Sequence, residues 1–309
     1  MTAQIRLGSR GSPLAMAQAE EVVRRLRAAN ADLAAPDAVE IVVIKTTGDS
    51  ILDRKLSEIG GKELFTKEIE EALLDGRIDC AQHSMKDMPT ALPEGLALGA
   101  ILPREAPWDA LFSPHGGRLA DLPPGAVVGT SSLRRQALVK AFRPDVNVQT
   151  LRGTVNTRMR RLADGDFDAT LLAIAGLKRI GQADAATGIL SAQEMLPAVS
   201  QGAIGLEVRA DDARMDRYVA PLRCAPSTAE VVAERAVLAA LDGSCHTPIA
   251  ALARVTGDQI ALDALVATPD GSAVHRRQLD GLTADAAAIG TELGRTLRAL
   301  AGPNFLPHW

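Results

Sequence analysis

Again and again along this chain, a short apolar run ends in glycine, serine or threonine and passes directly into a helical pattern. Residues 5–7 lead into GSRGSP and a helix that starts at Ser12. There serine suits the N-cap, Pro13 the first turn, and Ala15, Ala19, Val22, Val23 and Leu26 recur at helical spacing. Residues 126–128 feed a helix at Ser131, residues 146–150 a helix near Thr154, and residues 169–174 the short AGLKR segment. Residues 39–44 (VEIVVI) and 78–82 read as further buried strands, and residues 62–74 as an amphipathic helix stopped by Gly76. Strand–helix alternation of this kind demands a parallel or mixed sheet, and such sheets bind ligands at the carboxyl ends of their strands.

At 309 residues the chain is long for a single core. A second αβ series begins after residues 103–107, and SQGAIGLEVR, a glycine-hinged strand near Ser200, can run back into the first. From residue 221 the pattern changes to a helix (227–241), strands near 260–266 and 274–279, and a last helix from Thr283. The expected fold is α/β: two αβ domains joined by a double crossover around a cleft, plus a small C-terminal α+β domain. The expected divisions are residues 1–102 with 200–220, 103–199, and 221–309. Residues 48–61, charged and weakly periodic, read as a loop.

Arginines gather at the strand-to-helix turns: Arg10 in GSRGSP, Arg134 and Arg135 in GTSSLRR, Arg152 and Arg158 in LRGTVNTR, and Arg179 in AGLKR. Helix N-termini expose unpaired N–H donors, and guanidinium adds a planar fork that fits carboxylate or phosphate. Arg24, Arg25 and Arg27, on the first helix, read instead as solvated surface charge. So many basic turns on a chain of net charge −4 point to a ligand with several acidic groups. A general nucleic-acid binder would be basic and supplied with stacking rings; aromatics make up only 3% here. No run of some 18 apolar residues exists, so a membrane span is not expected. Cys80, Cys224 and Cys245 form no CxxC and the five histidines no HExxH, so neither disulfides nor a metal site is indicated, and a reducing cytoplasm is expected.

Two segments can do chemistry. HSMKDMP follows a strand and ends at Pro89, which puts Lys86 and Asp87 on a strand-end loop. A carboxylate there can transfer protons or stabilise a developing cation. His83 reads as a structural histidine. Cys245, in the turn LDGSCHTPI, is a candidate nucleophile or attachment point, whereas Cys80 lies in a strand and reads as buried. Lys62 in GGKELF lacks phosphate-loop spacing and is not a nucleotide site.

Taken in order, GSRGSPLA, TTGD, GGKELF, HSMKDMP, GTSSLRRQ, LRGTVNTR, AGLKR, SQGAIGLE and LDGSCHTPIA resemble the signature segments of the porphobilinogen deaminases, or hydroxymethylbilane synthases, from about residue 5 to 250. The resemblance implies two periplasmic-binding-protein-like αβ domains and a third carrying a cysteine. It implies a transferase of tetrapyrrole and heme biosynthesis that joins four porphobilinogens head to tail, releasing ammonia at each step and finally 1-hydroxymethylbilane. It implies a dipyrromethane cofactor held by a thioether at Cys245. Asp87 resembles the catalytic carboxylate; Lys86, Arg134, Arg135, Ser132 and Thr130 the cofactor-binding groups; and Arg10, Ser12, Arg152, Arg158, Arg179, Lys62 and Phe65 the substrate-binding groups. A monomer is implied, with its product passed to a tetrapyrrole-cyclising enzyme. Glu58 stands where some members carry lysine, and Thr154 where asparagine is common. A non-enzymatic two-domain anion receptor is the rival reading, since solute-binding proteins share this architecture; it gives no reason for HSMKDMP or Cys245. A thiol hydrolase would leave the arginines unexplained.

Overall fold

A computed structural model describes residues 4–50, 66–244 and 247–306. The chain divides into two compact units, residues 1–105 with 203–228 and residues 106–202 with 229–309. The first segment runs β1 (Ile5–Ser9), α1 (Pro13–Ala29), β2 (Val39–Val43), the single turn α2 (Thr47–Ser50), α3 (Lys67–Leu74), β3 (Cys80–Ser84) and β4 (Leu96–Ile101). The next runs β5 (Asp109–Phe112), β6 (Val127–Gly129), α4 (Leu133–Phe142), β7 (Asn147–Gln149), α5 (Val155–Ala163), β8 (Ala169–Ala173), α6 (Ile174–Arg179) and β9 (Gly188–Ile189). Then β10 (Ile204–Arg209) and α7 (Ala213–Val219) return to the first unit. The helix α8 (Ala225–Ala240), the strands β11 (Ile249–Thr256), β12 (Gln259–Ala267) and β13 (Val274–Leu282), and α9 (Ala286–Ala301) complete the chain.

The first unit's sheet has the order β2-β1-β3-β10-β4, and the second unit's αβ sheet the order β7-β6-β8-β5-β9. In the first, β1 is parallel to β2 and β3, and β10 is antiparallel to β3 and β4. In the second, β6 is parallel to β7 and β8, and β5 is antiparallel to β8 and β9. The two sheets therefore share one topology: second, first and third parallel strands, then an antiparallel strand, then an edge strand, six residues long in β4 and two in β9. In each, the antiparallel strand is the one the chain lays down just after crossing from the other unit. The expected pair of αβ domains is thus present, followed by a three-stranded antiparallel sheet with helices, the α+β part.

The packing follows from the side-chain periods. Ser12 caps α1 by accepting from the Ala15 N–H (3.3 Å), and Ala15, Gln18, Ala19, Val22, Val23 and Leu26 form its buried stripe. That stripe packs on Ile5, Leu7 and Cys80 of β1 and β3. Gly8 is needed in β1, because an added Cβ would lie 2.4 Å from Ile78 Cδ1. In β11 and β12 alternate residues part company. Ile249, Ala251, Ala253, Ile260, Leu262, Ala264 and Val266 join the core that includes α8 and α9. Ala250, Leu252, Leu265 and Ala267 join the core of the second αβ sheet. Both faces of β11 are buried over its first five residues, which is why it shows no polar alternation there.

Candidate active site

In the first unit, the carboxyl ends of β1 and β3 and the start of α1 carry the predicted groups. Arg10, Ala15, Gln18, Thr66, Gln82, His83, Ser84, Asp87 and Met88 line one small depression. After β3 the chain makes a 3₁₀ turn, Met85–Asp87, fastened by the Met85 N–H to the Ala203 carbonyl (3.0 Å) and the Met88 N–H to the Met85 carbonyl (3.3 Å). Met85 is buried and anchors the turn from below. Gly205 makes room for it, since a Cβ there would lie 2.2 Å from Met85 Sδ. The turn thereby lifts Asp87 into an exposed position with Lys86 half-buried beside it.

A web of neutral amides and hydroxyls supports this edge from behind. Gln82 Nε2 donates to Ser9 Oγ (2.9 Å) and to the Ala15 carbonyl (3.2 Å), and Gln18 Nε2 donates to Ser84 Oγ (2.9 Å). Behind His83 sits Glu207, with His83 Nε2 3.0 Å from Glu207 Oε2. Arg10 and Ser12 are half-buried, so the basic turn after β1 stands beside the turn that presents Asp87.

In the second unit, β6 is followed by Thr130, whose Oγ1 accepts from the Ser132 N–H (3.2 Å), and Ser132 caps α4 by accepting from the Arg135 N–H (3.4 Å). The caps set the first turn of α4, and with it the direction of Arg134 and Arg135. Both turn inward onto Asp109, which opens β5. Arg134 Nη2 lies 2.7 Å from Asp109 Oδ2, and Arg135 Nη2 and Nε lie 2.6 Å and 3.1 Å from Oδ1. Arg134 also donates to the Leu196 carbonyl and Arg135 to the Leu171 carbonyl, both at 2.8 Å. Gln201 Nε2 completes the shell at 3.2 Å from Asp109 Oδ1. Burial alone would push the Asp109 carboxyl up; Arg134 and Arg135 overcome it and hold it at about 2.

The sequence reading took these two arginines as open donors in a binding loop; the structure places them 4% and 7% exposed, committed to one carboxylate. Two cations on one anion leave a net positive charge inside the unit. Arg152 follows β7, and Arg158 lies on α5, whose N-cap Thr154 accepts from the Thr157 N–H (3.3 Å). Burial, then the charges of Arg135 and Arg152, lower Arg158 from 12.5 to about 10, which marks these guanidiniums as a like-charged cluster. Arg179, in the last turn of α6, donates to the Gly202 carbonyl (3.1 Å). Lys62, Phe65 and Cys245 lie outside the described residues. On either side of Cys245 and His246, Ser244 and Thr247 are clipped together: Thr247 Oγ1 donates to the Ser244 carbonyl (2.6 Å) and accepts from the Ser244 N–H (2.9 Å). Cys80 is fully buried, and burial pushes its thiol up to about 12.

Sequence reasoning missed Asp109, Gln201 and Glu207. For Asp109 a signal existed, a lone carboxylate opening the apolar run DALF, but its partners lie 25 and 26 residues away.

Two αβ units with arginines and one exposed carboxylate at the carboxyl ends of their parallel strands define an α/β protein that handles an acidic small molecule. The family model for the dipyromethane cofactor binding domain of porphobilinogen deaminase matches residues 5–217, and that for the same enzyme's C-terminal domain matches residues 228–299. Porphobilinogen deaminases from Nitrobacter winogradskyi and Nitrobacter hamburgensis are each 52% identical over 97% of this chain and 94% of their own length. The chain belongs to the porphobilinogen deaminase family. It is accordingly a transferase, a hydroxymethylbilane synthase of tetrapyrrole biosynthesis that acts on porphobilinogen and uses a dipyrromethane cofactor. Among solved structures, an ancestral cationic amino acid solute binding protein is 15% identical at a TM-score of 0.42, covering 70% of this chain and 86% of that one. The periplasmic VFT2 domain of Bordetella pertussis BvgS is 14% identical at 0.39, covering 71% and 86%. At that level the likenesses carry no argument. No helix among the described residues is long and apolar enough to cross a membrane.

Proposed function

We propose that Cys245 carries the dipyrromethane through a thioether, that Asp87 is the catalytic carboxylate, and that the arginines hold the acid arms of cofactor and substrate. The observation that carries this reading is the cluster of Arg135, Arg152 and Arg158, in which burial and like charge depress Arg158 to about 10. A cluster of like charge fits a group that bears two carboxylates on each ring. The buried Nε of Arg134 also has no hydrogen-bond acceptor among the described residues. When bound, the dipyrromethane supplies the free pyrrole end on which the tetrapyrrole is built.

The chain's own groups do the rest. Arg152 and Arg158, with Thr130 and Ser132 as hydroxyl donors, orient carboxylates on the second unit, beside the core in which Arg134 and Arg135 hold Asp109. Arg10, Ser12 and Lys86 do so on the first, and Arg179, Lys62 and Phe65 complete the substrate set. Asp87 is exposed beside the depression and has no bonded partner among the described residues. It opposes the positive charge that develops on the substrate's methylene carbon as ammonia leaves, and it accepts the proton that the coupled ring gives up. Residues 1–102 with 200–220 and 103–199 act as the two binding domains, and residues 221–309 as the cofactor-bearing domain. The enzyme works as a cytoplasmic monomer and hands its product to an enzyme that closes linear tetrapyrroles.

Intact mass under denaturing conditions, followed by peptide mapping, tests the attachment. The expected gain is two porphobilinogens less two ammonias, on Cys245; it is absent in Cys245→Ser and kept in Cys80→Ser and Cys224→Ser. An unmodified wild-type chain that gains nothing on incubation with porphobilinogen refutes the reading.

A further inference from the structure

The reaction assigned to Asp87 leaves one buried acidic group unused. Glu207, on β10, is fully buried, yet its only bonded side chain is His83, at 3.0 Å, and its Oε1 has no partner among the described residues. His83 is 6% exposed and lines the depression that holds Arg10 and Asp87. The sheet register makes the pairing deliberate in geometry. His83 lies opposite Gly205 and Glu207 opposite Ala81, so the two side chains share one face of adjacent strands as diagonal neighbours. A purely structural pair at this depth would be served better by apolar side chains, because a buried carboxylate with an unfilled oxygen is costly.

We propose that His83, backed by Glu207, is the second proton-handling group of the site and acts through Asp87. The inference rests on the assignment of Asp87 above. Each coupling forms a carbon–carbon bond and breaks a pyrrole C–H bond; the electron pair returns to the ring, and the proton goes to Asp87. A carboxylate that keeps that proton cannot oppose the next developing cation, so it must be cleared before the following round. Glu207 accepts from the Nε2–H of His83, which fixes the tautomer and leaves Nδ1 as the accepting nitrogen. The proton passes from Asp87 to Nδ1, Glu207 opposes the imidazolium charge, and the proton then leaves to water. Of the charged and titratable groups, Glu207 from β10 bonds the imidazole, and Arg10 after β1 and Asp87 from the turn after its own strand share the depression with it; Lys86 precedes Asp87 in that turn, and α3, which packs on β3 and β10, carries buried Glu70. Helix α1 contributes only the uncharged Ala15 and Gln18 to the depression.

The test compares His83→Gln, Glu207→Gln and Asp87→Ala in the full, cofactor-loaded chain, with adduct mass and thermal unfolding measured on each. Glu207→Gln keeps the shape and the hydrogen bond but removes the charge. We expect both conservative variants to retain the adduct, the fold and the wild-type KM. Their kcat should fall, by about 10²-fold for His83→Gln, within the range for a lost proton-transfer group, and the pH dependence of kcat should differ from that of the wild type. Wild-type kcat and pH profile in both variants, with Asp87→Ala inactive, would overturn the relay while leaving Asp87 in place. A normally active Asp87→Ala would remove the underlying assignment instead. A rise in KM or loss of stability with kcat unchanged would make the pair structural and likewise overturn it.

Discussion

Replacing Asp109 with Asn tests the electrostatic core of the second unit. The carboxylate is fully buried and touches both guanidiniums at 2.6–2.7 Å, so the variant leaves two buried cations without a counter-charge. The carboxyl is held at about 2 against an ordinary 3.8, a gap that corresponds to about 2 kcal/mol of stabilisation of the charged form. Removing one partner of a buried ion pair also strands the other, which raises the expected loss to about 3–5 kcal/mol. The larger figure governs at neutral pH, because asparagine offers one carbonyl oxygen to two guanidiniums. A carboxyl depressed on folding stabilises the native chain above its unfolded value near 3.8, and that contribution is lost as pH falls toward 2. The stability gap between wild type and variant should therefore be full at pH 7 and narrow between about pH 4 and 2. Urea unfolding followed by tryptophan emission suits the purpose, since Trp108 lies next to Asp109 in the second unit. A loss below about 1 kcal/mol at pH 7, or a gap that stays constant down to pH 2, would refute the reasoning.

Asp87→Ala should leave the unfolding midpoint unchanged within about 0.5 kcal/mol, as expected for an exposed side chain, while abolishing turnover in a porphobilinogen consumption assay. Arg158→Ala should weaken binding of acidic pyrroles by about 1.5–3 kcal/mol, the worth of one charge-assisted contact, read by titration calorimetry. Gly205→Ala should cost about 1–3 kcal/mol by overpacking Met85, and it should lower kcat by shifting the turn that bears Asp87, with steady-state kinetics and thermal unfolding as the readouts.

The elements that were legible in advance are those whose signals are local. Ser12 and Thr154 cap the helices expected of them, and the strands anticipated at 126–128 and 169–174 appear as β6 and β8 within a residue or so. Helix α4 starts two residues later than expected, at Leu133, because Ser132 rather than its predecessor is the cap. The strands β4, β5 and β11 gave no usable pattern. β5 is only DALF between prolines, and β11 is buried on both faces. Gln82 and Gln18 read as ordinary polar residues until the sheet brought them to one edge.

By itself, the sequence determined where the capped helices and several of the strands begin, that the chain alternates them, that arginines crowd the strand ends, and through its motifs which chemistry is served. Caps and periodicity act over a few residues, so they can be read in line. Only the tertiary structure decided that Arg134 and Arg135 spend their charge on Asp109 while Arg152 and Arg158 crowd beside them, and that Glu207 stands behind His83 from 124 positions away. Those pairings depend on the order of strands in two sheets, each completed by an antiparallel strand from a distant stretch of chain. In such a sheet, the strand that supplies a buried counter-charge is chosen by topology, and no local pattern records it.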